Sequence, residues 1–429
     1  MAPLAVAIII LLTGPLSDIA SAQQDEAGLI SLDGRFIRLV TDLPESPQLN
    51  DWVAAFDAAV PHWAQHWERS VDGLRDWRVT AYLMTAKAPF QARGLLPTNL
   101  PDFRFGFQSG NRIWVLHQPT PQYTRHLLLH EGVHAITSHL FGGSGPAWHM
   151  EGLAEYLATH DWDPAAPAIR VGIIPADTLD VAGWGRIELI ETARQSNRIP
   201  RLETVLRYGG EAHRDVDAYA WSWLAMTLLE IYPEYREPLH QLARHGRDTS
   251  QQFNSRLYDK LRAQWPLLSA RWWLLATDIE YGFDPTRHRI EFPERLAPLP
   301  QVSVDWELDV AQGWQSAPYA LSAGQTIQIT AAGRYVLRTP PDAREWEAEA
   351  DGVTIHYHRG QPLGKLLVCL LPLRPSEGGP NLPPLPIIPV GSTATITAPT
   401  DSRLLFRLNE STSAFADNRG TLQITLTPQ

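Results

Sequence analysis

His130-Glu131-Gly132-Val133-His134 sets two histidines four positions apart with a glutamate between them. On a helix, residues four apart differ by about 40° around the axis, so both imidazoles can reach one ion from one face. Glu131 projects beside that face. It can take a proton from a water on the metal, whose pKa zinc brings down to about 7. The spacing therefore suits a hydrolytic zinc. Such a zinc takes a third protein ligand and keeps one position open. His139, His149, Glu151, Glu155 and His160 could each supply it. His139 lies five residues past His134, too near on the same helix to swing back. Glu151 is the better choice. Phe141-Gly142-Gly143-Ser144-Gly145-Pro146 breaks the first helix and lets a second, roughly 150–159, return across it. Glu155 then falls one turn on, on the same face, where its carboxylate could hold a ligand histidine by its other ring nitrogen. Its plain alternative is a carboxylate that favours the first turns of a helix.

The elements around this set bear on its chemistry. Leu127, Leu128, Leu129, Val133, Ala135, Ile136 and Leu140 make the first helix apolar nearly all round, which predicts a buried helix. The plain alternative is a pair of hydrogen-bonded core histidines. Burying Glu131 beside them with no partner is costly, and a divalent ion supplies that partner.

The His-Glu-x-x-His helix and the later Glu151-Gly152-Leu153-Ala154-Glu155-Tyr156 resemble the gluzincins, metallopeptidases whose third ligand is a glutamate. With Pro146-Ala147-Trp148-His149-Met150 ahead of it, the run looks closer still to the peptidase-MA-like proteins exported by bacteria. The likeness extends from about Leu29 to about residue 280 and takes in Arg125-His126-Leu127-Leu128-Leu129-His130. It implies a zincin-like α+β domain with Zn2+ on His130, His134 and Glu151, and with Glu131 as general base. Gluzincins also place a tyrosine or histidine to stabilise the oxyanion, roughly sixty to seventy residues beyond the third ligand in some members. Tyr219, in Asp217-Ala218-Tyr219-Ala220-Trp221, falls at that interval, with His213 second. Tyr219 could equally pack within an aromatic-rich helix. No Gly-x-Met-Glu-Asn exopeptidase element precedes His130. That departure favours internal cleavage of a peptide or protein substrate.

Leu4 to Leu12 is a short apolar run, and Ala20-Ser21-Ala22 before Gln23 has the small-x-small form of a cleavage site. Residues 1–22 therefore read as an export signal, although no Lys or Arg opens it, and the mature chain as secreted or periplasmic. No later stretch reaches ~18 uninterrupted apolar residues, so no transmembrane segment is expected in the mature chain. Cys369 is the one cysteine and permits no internal disulfide. It sits in Leu366-Leu367-Val368-Cys369-Leu370-Leu371, which reads as a buried strand. Stability then rests on hydrophobic cores, and 429 residues supply enough chain for two or three. A net charge of −11 without a basic run argues against nucleic acid as a partner.

The expected organisation is multidomain: an α+β catalytic part over 28–184, a helical part over 185–283 that completes a cleft, a Pro-rich linker over 284–301, and an all-β sandwich over 302–429. In the first part Arg35–Val40, Arg78–Met84 and Asn111–His117 read as strands. Residues 51–69 read as a helix with Trp52, Ala55, Phe56, Ala59, Trp63 and Trp67 on one core-facing side. If the last of those strands is a sheet edge, Arg112 to Val115 would pair with substrate backbone by strand addition. In the last part the period changes to two, as in Gln325–Thr330 and Thr421–Leu426, and Pro375 to Pro389 reads as an exposed loop.

This C-terminal part resembles the galactophilic bacterial PA-I lectin, a calcium-dependent jelly-roll sandwich, in Gly324–Gly333, Pro362–Leu366, Leu405–Glu410 and Asp417-Asn418-Arg419-Gly420. The resemblance implies Ca2+ on Glu410, Asp417 and Asn418 with the carbonyls of Ala414 and Leu337, all hard oxygen donors. It also implies a glycan partner, with His356 and His358 nearby but no secure counterpart of the lectin's sugar-contacting residues. Asp/Asn turn chemistry alone is the plain alternative for this loop. A non-enzymatic carbohydrate- or surface-binding protein with a structural zinc is the rival to a peptidase, and a zinc hydrolase of non-peptide amides is a third reading.

Overall fold

A computed structural model of the protein describes residues 23–24, 28–210, 216–340, 344–374 and 379–429. The expected export signal and His213 lie outside the described residues. Strands β1 (Gln23–Gln24), β2 (Ile30–Asp33), β3 (Ile37–Thr41), β4 (Val79–Met84), β5 (Gly106–Ser109) and β6 (Arg112–Leu116) form one sheet in the order β1-β2-β3-β4-β6-β5. β3, β4 and β6 run parallel, and β5 folds back antiparallel on β6. Helix α1 (Pro47–His66) opens on a proline, whose fixed φ suits a first helical position, and its aromatic stripe is buried as expected. A short α2 (Lys87–Ala92) follows.

The edge of this sheet differs from expectation. β6 is paired on both sides, so Arg112 to Val115 cannot accept a further strand, and β5 is the outermost strand. Gly106-Phe107-Gln108-Ser109 carries no apolar alternation that would have marked it in the sequence. The hairpin forms because Gly110 takes the positive φ of 58° that the turn requires.

Helix α3 (Pro121–Phe141) carries the two histidines and is buried continuously from Tyr123 to Thr137. The Thr120 hydroxyl accepts from the Tyr123 N–H at its start, and Gly142 ends it with a left-handed φ of 78°. Helix α4 (Ala147–Ala158) returns across it, and the hairpin β7 (His160–Asp163) and β8 (Ala168–Val171) follows. Then come α5 (Arg186–Gln195), α6 (Leu202–Val205), α7 (Val216–Ile231), α8 (Pro233–Gln241), α9 (Gln251–Leu261) and α10 (Trp265–Asp278). Two glycines set the helix contacts. A Cβ on Gly132 would come within 2.5 Å of Phe56 on α1, and one on Gly152 within 2.5 Å of the Ser222 carbonyl oxygen on α7. The helical part is not a separate packing unit. Leu128, Val133, Trp148, Trp184, Leu224 and Trp272 share one core.

The C-terminal part is a β-sandwich. Its strands are β9 (Ala297–Pro298), β10 (Val304–Asp309), β11 (Gln315–Leu321), β12 (Thr326–Ala332), β13 (Tyr335–Arg338), β14 (Trp346–Ala348), β15 (Val353–His358), β16 (Gln361–Leu363), β17 (Leu366–Pro372), β18 (Ile387–Pro389), β19 (Thr393–Thr397), β20 (Ser402–Leu408) and β21 (Thr421–Pro428). A sheet ordered β10-β21-β12-β19 faces one ordered β18-β17-β20-β11-β9 across a core that includes Leu308, Ile327, Ile424, Val368 and Phe406. The outer face of the second sheet packs on the helices through Leu367, Cys369, Leu371 and Leu405. Being covered on both faces explains why Leu366–Leu371 is apolar throughout instead of alternating.

The linker of 284–301 is part of this packing, since Ala297–Pro298 pairs with β11. The stretch from Pro375 to Pro389, expected as an exposed loop, instead docks where it is described. Leu382 is buried, its N–H donates to the Ile199 carbonyl at 2.7 Å, and Ile387–Pro389 joins the sheet. Proline content misleads here because its prolines flank a buried leucine, Leu382, and a partly buried one, Leu385. No described helix is long and apolar enough to cross a membrane.

Candidate metal centre

α3 and α4 bring His130, His134 and Glu151 together. The two Nε2 atoms stand 3.1 Å apart, and Glu151 Oε2 lies 3.2 Å from one and 3.5 Å from the other. Ligand atoms about 2.0–2.1 Å from one tetrahedral ion stand about 3.3 Å from each other. The triangle is thus of the size a single ion needs. All three side chains are buried, and Glu151 Oε2 has no hydrogen-bond partner. A buried carboxylate oxygen in that state is stabilised by positive charge beside it, from a protonated imidazole of the pair or from a metal ion among the three side chains. Burial alone would push Glu151 up, but His130 and His134 outweigh it and hold its carboxyl at about 2. Burial likewise opposes a charged His130, yet Glu151 and Glu155 lift it to about 10.

Glu155 lies behind His130. Its Oε1 is 3.3 Å from His130 Nδ1, and its Oε2 is 3.4 Å from His126 Nε2. Trp184 Nε1 donates to Oε2 at 2.9 Å, Arg186 Nε to Oε2 at 3.2 Å and Arg186 Nη2 to Oε1 at 3.0 Å. Burial would raise the Glu155 carboxyl, and Arg186 and His126 pull it well below the usual range. The Glu155 carboxylate therefore faces Nδ1 of His130, one of the three residues that could hold an ion, and a carboxylate so placed orients an imidazole and raises its basicity.

Glu131 points from α3 toward the edge strand. A Cβ on Gly106 of β5 would lie 2.5 Å from its Oε1, so only glycine leaves the carboxylate its place. Burial pushes the Glu131 carboxyl up, against the pull of His130 and His134. Tyr219 is half-buried, with its ring centroid 6.1 Å from that of His130 and the Arg186 guanidinium 5.5 Å over its ring. Burial, then Glu151 and Glu131, hold its hydroxyl protonated far above the usual tyrosine range.

The other candidate ligands stand apart from the triangle. His139 packs near Trp77. His149 Nδ1 bonds the Ser144 carbonyl at 2.7 Å, and His160 Nε2 accepts from Arg125 Nε at 2.8 Å. Trp184, Arg186 and Gly106 were not singled out by the sequence. None has a spacing signal, because each reaches the site from a different element. His126 had one, at four residues before His130.

In the sandwich, Glu410 and Asn418 are buried side by side. Asn418 Nδ2 donates to Glu410 Oε2 at 2.8 Å and to the Val310 carbonyl at 3.1 Å, which leaves Asn418 Oδ1 buried with no hydrogen-bond partner. Asp417 Oδ2 accepts from the Thr339 N–H at 2.8 Å. Burial pushes Glu410 up to about 7, with Asp417 adding to the rise. Glu410, Ala414 and Asp417 line a cavity of about 400 Å³ together with Arg338, His356 and His358.

The chain matches no protein-family model and no curated protein. Among solved structures it is similar to a chain described as the EclA N-terminal domain, a PllA-like lectin, at 16% identity and a TM-score of 0.21, over 29% of this chain and 95% of that one. It is also similar to Aeromonas hydrophila PliG, a periplasmic lysozyme inhibitor of g-type lysozyme, at 9% identity and a TM-score of 0.19, over 33% of this chain and 99% of that one. Likenesses this slight carry no argument.

Proposed function

We propose that this protein is an exported zinc metallopeptidase with a zincin-like catalytic part and a jelly-roll, lectin-like accessory part. The carrying observation is the buried triangle of His130, His134 and Glu151, with Glu131 set between it and an open sheet edge. When bound there, zinc polarises a carbonyl and acidifies water. Glu131 takes the proton of the attacking water and returns it to the departing nitrogen, a role that its raised pKa suits. The Tyr219 hydroxyl donates to the developing oxyanion.

The sheet edge favours a peptide over other amides. The Phe105 carbonyl accepts from the Leu116 N–H, so the alternation of an antiparallel pair turns the backbone groups of Gly106 and Gln108 outward. An extended peptide can add there as a further strand, beside Glu131. Casein cleavage by the full-length protein, abolished by a chelator and restored by zinc, is the expected result. Zinc-loaded protein that leaves casein intact overturns the reading.

The sandwich supports a second role through one observation, the buried and unpartnered Asn418 Oδ1 beside Glu410 and Asp417 at the cavity. Calcium on these oxygens and a glycan in the cavity are the ligands it suits. A glycan array run with and without calcium tests this. Calcium-dependent glycan binding by a chain that cleaves nothing would favour a binding protein with a structural zinc.

A further inference from the structure

A second cluster joins three helices away from the first. Glu230 near the C-terminus of α7 is buried, and its Oε1 faces two imidazoles: His240 Nε2 of α8 at 2.9 Å and His66 Nε2 at the end of α1 at 3.7 Å. The two rings lie with centroids 4.2 Å apart, tilted by 52°, and the three donor atoms are all within 4.8 Å of one another. Arg236 occupies the other side of the carboxylate. Its Nε is 3.5 Å from Oε2, and it donates to the Glu230 carbonyl at 3.0 and 2.6 Å, which leaves Oε1 to the imidazoles. Oε1 has room for two N–H donors, but His66 Nε2 at 3.7 Å lies beyond hydrogen-bond distance, so a direct bond serves only His240, whereas one cation can be ligated by all three side chains.

We propose that His66, Glu230 and His240 form a second site for a divalent transition-metal ion of the zinc class, structural in role. The donor set, two imidazoles and a carboxylate, repeats that of the first site, and donor separations of 2.9 and 3.7 Å bracket the roughly 3.3 Å expected around a tetrahedral ion. The site lies eleven residues beyond Tyr219 on α7, about 16 Å along the helix axis. It cannot share an ion with His130. Ligation there ties α1, which packs on α3 at Gly132, to α7, which packs on α4 at Gly152. It thus fixes from behind the two helices that flank the first site. His240 is the more open side of the cluster, with 22% of its side chain exposed, so solvent has access to the site there.

The test uses the full-length protein, equilibrated with buffered zinc and analysed for metal by mass spectrometry. Two zinc ions per chain are expected in the wild type, one in His240→Gln and one in His134→Gln. A His240→Gln chain that keeps the wild-type count overturns the proposal, and so does a wild type with one zinc that His134→Gln loses entirely. Should His240→Gln fail to fold, diethyl pyrocarbonate labelling of the wild type decides. Zinc should lower modification of His240 at least about tenfold, a change of 1.4 kcal/mol in occupancy terms; equal modification with and without zinc refutes the site.

Discussion

Glu155 contacts both His130 and Arg186, and the two contacts can be separated. Glu155→Gln keeps the shape of the side chain but removes the charge that Arg186, itself 6% exposed, is paired with. A buried guanidinium left without its carboxylate costs about 3–5 kcal/mol, and Arg186→Met, which leaves the carboxylate unpaired, should cost a similar amount. The double variant removes both charges and fills the volume. Its stability should return to within about 1 kcal/mol of the wild type, because replacing a whole buried pair is often close to neutral. Zinc affinity should not return with it. Without a carboxylate 3.3 Å from His130 Nδ1, the ring loses its fixed orientation and part of its basicity. Losses of this kind are about 10–100-fold, or roughly 1.4–2.7 kcal/mol. Urea unfolding in chelator reads the first quantity, and competition with a chromophoric chelator reads the second. A double variant that binds zinc as tightly as the wild type would refute the positioning role and leave Glu155 as a structural partner of Arg186.

Three further outcomes are expected. Gly106→Ala places a methyl 2.5 Å from Glu131 Oε1 and should lower kcat/KM at least about tenfold at unchanged zinc content; an unaltered rate shows that the edge strand does not constrain the base. In metal-free protein, the Glu151 carboxyl titrates near 2 when folded against an ordinary 4.5. It therefore adds stability above about pH 4.5 that is lost as pH falls toward 2, and Glu151→Gln should lack this part of the acid transition in unfolding curves. Asp278 accepts from Trp314 Nε1 at 2.6 Å and Arg407 Nη1 at 2.7 Å where the sandwich meets α10. Asp278→Asn leaves a buried Arg407 unpaired and should cost about 3–5 kcal/mol, seen as a lower urea midpoint. An unshifted midpoint removes this pair from the interface energetics.

The sequence carried the triangle and little of what surrounds it. His130, His134 and Glu151 were legible because helical periodicity and a glycine-proline break are local signals. So were the buried α3, the stripe on α1 and the alternation of β12 and β21. Arg186 and Trp184 reach Glu155 from 31 and 29 residues further along the chain, on elements whose placement depends on tertiary packing. β5 was invisible because an edge strand with one glycine and two polar residues in four has no apolar pattern. His66, Glu230 and His240 meet only because three helix ends converge. The docking of Leu382 was hidden for the opposite reason, since proline signals a turn and says nothing of the leucines between turns.

The central claim, hydrolysis by Glu131 at a zinc held on His130, His134 and Glu151, is tested most directly by measuring casein cleavage and zinc content on the same preparations of wild type and Glu131→Gln. Zinc content should be equal in the two, and the cleavage rate should fall about 10²–10⁴-fold in the variant, the contribution typical of a general base. A Glu131→Gln protein that cleaves at the wild-type rate contradicts the claim.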